Sequence, residues 1–125
     1  MILLDASALI AFMNEEPGAD VVAEALEGDA GACSVVNFAE ILEFAERAGM
    51  GAGACFEELR DMVAVVGMTE ADALAAAELY PITRRPALSL ADRVALVTAR
   101  RLSVPILTAE SSWADVPDVE VRVIR

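Results

Sequence analysis

Two acidic residues follow apolar runs that read as strands: Asp5 after "ILL" and Glu110 just after "PILTA". Two more stand where helices begin, Glu40 in "NFAEILEF" and Asp92 in "SLADRVALV". The chain has no histidine and no lysine, so all nine cations are arginines. That excludes an imidazole base, a Ser-His-Asp triad, His-containing zinc sites, a Schiff base and a P-loop lysine. Chemistry is left to carboxylates. Carboxylates gathered around a hard divalent cation can activate water against a phosphodiester, and Mg²⁺ or Mn²⁺ prefers such oxygen ligands.

Each acid also has a plain structural use. Asp5 can cap the helix that follows it by accepting an orphan backbone N–H. Ser89-x-x-Asp92 and Asn37-x-x-Glu40 both have the form of a capping box, as does Thr69-x-x-Asp72. Glu110 by itself reads as a solvated loop charge. Taken singly these residues are caps and surface charges; their shared placement is what suggests a site.

That placement depends on the elements. Ile2–Asp5 reads as a buried strand followed by a helix over roughly 6–14, and "DVVAEALEG" as a short amphipathic helix ending at Gly28. "GACSVV" is a second strand, and a helix from Asn37 runs to Gly49. A helix over about 55–63 leads into a third strand, "AVVGM". Thr69 caps a helix that stops before Pro81, and "PITRRPA" is a proline-bracketed loop. A helix from Ser89 to about Leu102 precedes the strands "VPILT" and "VEVRVI". Strands alternating with helices predict an α/β fold, a mainly parallel sheet of about five strands in a single domain over residues 1–125. Parallel strands end at one edge, where the following helices start. Four acids distant in sequence could therefore meet at one rim.

Composition narrows the function further. The net charge is −12, which argues against tight nonspecific nucleic-acid binding. The charge is uneven: residues 1–83 hold two arginines against sixteen acids, and residues 84–125 hold seven against five. Arg84, Arg85, Arg93, Arg100 and Arg101 form a local cluster, either solvated helix surface or an anion-binding patch. Cys33 and Cys55 lack metal-type spacing and read as reduced core thiols. With no membrane-length apolar run and no leader-like start, a cytoplasmic protein is expected.

The blocks "LLDASALIA", "VVNFAEIL", "LSLADRVALVTARRL" and "ILTAESSW" resemble, in order and spacing, the conserved segments of PIN-domain proteins, and in size the VapC-type toxin ribonucleases of toxin–antitoxin pairs. The resemblance implies a Mg²⁺- or Mn²⁺-dependent endoribonuclease with Asp5, Glu40, Asp92 and Glu110 as the acids of the site. Asp5 and Asp92 would be the leading ligands, with Glu40 and Glu110 acting directly or through water. Glu110 departs from the aspartate usual there, and Asp115 is a candidate substitute. Ser7 and Thr108 fit positions that hydrogen-bond the ligating acids. Arg84, Arg85 and Arg93 are candidates for RNA contact, and the family also implies a homodimer and a small antitoxin partner. Receiver and dehalogenase-type domains also place Asp after the first strand, but both use a lysine. The alternative is a PIN-like binding or regulatory module with little or no catalysis.

Overall fold

The computed structural model describes residues 1–28, 30–84, 88–113 and 116–125; Arg85 and Asp115 lie outside the described residues. The chain runs β1 (Ile2–Leu4), α1 (Ala6–Met13), α2 (Ala19–Gly28), β2 (Gly31–Ser34), α3 (Val35–Arg47), α4 (Ala52–Leu59) and β3 (Ala64–Val66). It continues with α5 (Glu70–Glu78), α6 (Tyr80–Thr83), α7 (Leu90–Leu102), β4 (Ile106–Thr108), a short 3-10 turn (Ser111–Trp113) and β5 (Val121–Val123). The five strands form one parallel sheet in the order β3-β2-β1-β4-β5.

Strand alternation sends residues to two cores. Ile2, Leu4, Cys33 and Leu107 pack with Leu9 and Ile41 on one face. Leu3, Ala32 and Ile106 pack with Val94 and Val97 of α7, and with α5, on the other. Burial on both faces is why "ILL" and "ILT" read as unbroken apolar runs rather than alternating ones. Gly31 opens β2 because a Cβ there would lie 2.8 Å from a methyl of Leu26 and 3.1 Å from one of Leu4. No helix among the described residues is long and apolar enough to cross a membrane.

Three sequence expectations shift. The third helix begins at Val35, not Asn37, because Ser34 is its cap and accepts the Asn37 N–H at 3.0 Å. The Asn37/Glu40 capping box is therefore absent, and Glu40 sits in the second turn. The fourth helix starts at Ala52 and is over by Leu59. The expected loop at residues 81–87 holds α6, with Pro81 in its first turn, where the missing N–H would be unpaired in any case.

The strand order determines where a crevice opens. From β1 the chain steps to β2 and β3 on one side, then returns to place β4 on the other side of β1. Connections leave β1 and β4 in opposite directions, which parts the loops at their carboxyl ends. Leu4 pairs with Leu107, so Asp5 and Thr108 emerge side by side at this switch point.

Candidate active site

Asp5 is 2% exposed and does two jobs. Its Oδ1 caps α1 by accepting the Ala8 N–H at 2.8 Å. The same carboxylate accepts the Ser7 hydroxyl (2.8 and 2.9 Å to its two oxygens) and, at Oδ2, the Thr108 hydroxyl at 2.7 Å. The direction of both hydroxyl protons follows from their other partners. The backbone N–H of Ala109 donates to Ser7 Oγ at 2.9 Å, and that of Glu110 donates to Thr108 Oγ1 at 3.0 Å. With an acceptor position used on each oxygen, each O–H is aimed at Asp5. Three donors against about four acceptor positions leave the carboxylate room for one proton or one cation. Burial pushes its carboxyl up to about 6, against the pull of the Thr108, Ala8 and Ser7 bonds, and the negative charge of Asp92 adds to the rise.

Asp92 enters from the start of α7. Its Oδ2 accepts the Ser89 N–H at 2.9 Å, while Ser89 Oγ accepts the Asp92 N–H at 3.1 Å, so the capping box is real. The carboxylate is half-buried, and its charge bears on Asp5 and on Glu40 alike. Capping and a place in the acidic rim are thus compatible. Glu40 comes from α3, which packs against α7. Burial pushes its carboxyl up, the bond from Asn37 opposes this, and Asp92 and Glu43 reinforce the rise.

Asn37 is the residue that sequence reasoning misjudged. It is 1% exposed, and its Nδ2 donates to Glu40 Oε2 at 2.8 Å. Its Oδ1 is buried without a hydrogen-bond partner. Turning the amide over would set that oxygen against a carboxylate, so Glu40 dictates the orientation. The Asn-x-x-Glu spacing carried the signal, but as a side-chain pair within a helix rather than a cap.

Glu110 joins the network through its backbone only. Its side chain is exposed and makes no hydrogen bond or ion pair with the other acids among the described residues. The arginine cluster divides. Arg84 is exposed just after α6, and Arg93 donates from Nη1 to Leu88 O at 2.9 Å while its guanidinium lies 5.3 Å from the Tyr80 ring centre. Arg100 and Arg101 sit at the other end of α7, roughly 12 Å from Arg93 at 1.5 Å per residue. Arg101 grips the buried Asp72 through Nε and Nη2, both at 3.0 Å, and also donates to Gly67 O. It ties α5 to α7 and is unavailable at the rim.

Asp5, Glu40 and Asp92 offer only oxygen donors, the set a hard divalent ion prefers. Among the described residues no three acidic, cysteine or histidine side chains converge closely enough to hold an ion as a group.

The five-stranded parallel sheet carries acids just after β1, on α3 and at the start of α7, and comparison with known proteins supplies the family. The chain belongs to the PIN domain family, whose profile matches residues 2–119. It is similar in structure to a chain of a toxin–antitoxin complex from Klebsiella pneumoniae (TM-score 0.81, 18% identity, covering 100% of this chain and 98% of that one). It is also similar to a chain of VapBC2 from Rickettsia felis bound to a DNA fragment from its promoter (TM-score 0.80, 11% identity, 98% of each chain). A third similar structure is VapC20 from Mycobacterium tuberculosis, described as a sarcin–ricin loop cleaving toxin (TM-score 0.71, 16% identity, 91% of this chain and 92% of that one). Comparison with curated proteins finds no match.

Proposed function

We propose that this PIN domain is a metal-dependent endoribonuclease that hydrolyses RNA phosphodiester bonds, the toxin of a VapC-type toxin–antitoxin pair. The observation that carries the proposal is the setting of Asp5: it stands at the switch point just after β1, clamped by Ser7 and Thr108, and the charge of Asp92 reaches both it and Glu40. Mutual repulsion of this kind is relieved by a divalent cation. Asp5 and Asp92 would hold Mg²⁺ or Mn²⁺, with Glu40 and Glu110 contributing directly or through water. The chemistry supplied there by the bound ion is a more acidic water and a polarised phosphoryl oxygen. Ser7 and Thr108 keep Asp5 oriented, and Asn37 holds one oxygen of Glu40 so that the other can take a proton from the attacking water.

The toxin assignment draws on the similar structures named above, two of which are toxin–antitoxin complexes. A groove of about 540 Å³ between α1, α2 and α4, lined by apolar side chains such as Phe12, Leu59 and Met62 together with the acids Glu15, Asp20 and Glu58, offers a surface for such a partner. An antitoxin arginine reaching the acidic rim would compete with the cation. A homodimer and a cytoplasmic location complete the reading.

The test is cleavage of an RNA panel with Mg²⁺, Mn²⁺ or EDTA by wild type, Asp5→Asn and Asp92→Asn. Metal-dependent cutting that both substitutions abolish is the expected result. Cutting in EDTA, or full activity in both variants, overturns the mechanism. The open rim and the exposed Glu110 favour a second reading, a binding module without catalysis. Failure of either ion to bind would select it.

A further inference from the structure

The ring of Tyr80 is 54% exposed at the start of α6, and the guanidinium of Arg93 backs one of its faces at 5.3 Å from the ring centre. Tyr80 and Arg93 are remote in sequence, so the tertiary fold builds this pair. The other such pair among the described residues, Arg60 over Phe56 at 5.4 Å, joins neighbours one turn apart at the end of α4 and needs no tertiary explanation. Arg93 is fixed from below by its bond to Leu88 O, and its Nε is buried with no partner among the described residues. The guanidinium is thus held in place behind an exposed ring, which calls for a use.

The location suggests one. Arg93 directly follows Asp92 on α7, and Leu88 directly precedes Ser89, whose N–H holds the Asp92 carboxylate. The platform is therefore tied through two contacts to an acid of the rim. Successive helix residues diverge by about 100°, so it flanks the crevice instead of filling it. A flat π-surface with a cation behind it and water in front is the arrangement on which single-stranded nucleotides stack. Attraction through the ring is useful in a chain of charge −12, which cannot rely on backbone electrostatics.

We propose that Tyr80, backed by Arg93, is a stacking subsite for an unpaired RNA base next to the bond that is cut. This rests on the ribonuclease reading for its substrate class, and its test is kept independent of cleavage and of metal. Binding of a short labelled single-stranded RNA is measured by anisotropy in EDTA at about 0.15 M salt, where charges beyond about 8 Å are screened. Tyr80→Ala weakens binding roughly tenfold, and Tyr80→Phe stays close to wild type. The same RNA carrying abasic positions binds wild type and Tyr80→Ala equally. Tyr80 is the only tyrosine, so its ring resonances report stacking directly by moving upfield as RNA is added.

Unchanged affinity in Tyr80→Ala overturns the proposal, as does an equal loss with abasic RNA or no detectable binding by wild type. A lower solution mass for Tyr80→Ala than for wild type also overturns it, because the ring is then an interface with a second copy of the chain. If abasic RNA removes the difference but no RNA is cut with metal, the catalytic reading fails and the subsite stands. The reverse pattern removes the subsite alone.

Discussion

Replacing Asp5 by asparagine should make folding stability depend on pH less than in wild type. The Asp5 carboxyl ionises at about 6 in the folded protein against a usual 3.8. The folded state thus holds a proton that the unfolded chain releases between those values. Its contribution to stability is fully present below about 3.8 and is lost as pH rises through about 6. At 1.36 kcal/mol per pH unit the loss is about 3 kcal/mol, or roughly 10 °C in melting temperature for a domain of this size. Asparagine does not titrate, and its altered hydrogen bonds to Ser7 and Thr108 add an offset that does not vary with pH. Melting both proteins in EDTA from about pH 3.5 to 7.5 and taking the difference at each pH isolates Asp5, because most other groups cancel. Asp5→Asn should gain on wild type by about 3 kcal/mol across this range. A flat difference would refute the account of a buried acid whose ionisation the fold resists; a difference of opposite slope would mean that the hydroxyl donors outweigh burial.

Mn²⁺ at about a hundredfold above its dissociation constant should stabilise wild type by about 2.7 kcal/mol and leave Asp5→Asn unmoved, as calorimetric scans with and without metal would show. Asn37→Ala should raise the Glu40 titration midpoint, read by carbon NMR of the carboxyl, and slow cleavage about tenfold, because a bond to a charged acceptor is worth about 1.5–3 kcal/mol. Arg101→Ala should cost about 2 kcal/mol in urea unfolding, since Asp72 stays buried without its partner, yet leave RNA affinity unchanged. Burial pushes the Asp72 carboxyl up, but Arg101 and Thr69 hold it below the usual range, so the stability of this tie is present at neutral pH and lost on acidification.

Much of the frame could be read in one dimension. Apolar runs placed Asp5 and Glu110 just after strands and Thr108 at the end of one, and Ser89-x-x-Asp92 announced both a helix start and an acid at its first turn; that Glu110 would stay exposed and off the network was not legible. What escaped was set by tertiary context. The two valines of "SVV" are β-branched and read as more strand, so Ser34 was not seen as a cap and Asn37 took its place. Pro81 was read as a breaker although it sits in a helix's first turn. The arginine cluster looked like one patch because spacing along a chain ignores helix length; α7 carries Arg93 and Arg101 to opposite ends. The partner of Arg93, an aromatic ring on another element, has no sequence signature at all.

The carboxylate at residue 5 and the hydroxyl that steadies it at residue 108 are 103 positions apart. A ribosome adding about 5–20 residues per second needs on the order of 5–20 seconds to travel between them. Until β4 has left the exit tunnel and slotted beside β1, the emerging polypeptide carries the acid without its clamp. The setting of this acid is therefore unfinished for most of the chain's own synthesis and is completed only near its end.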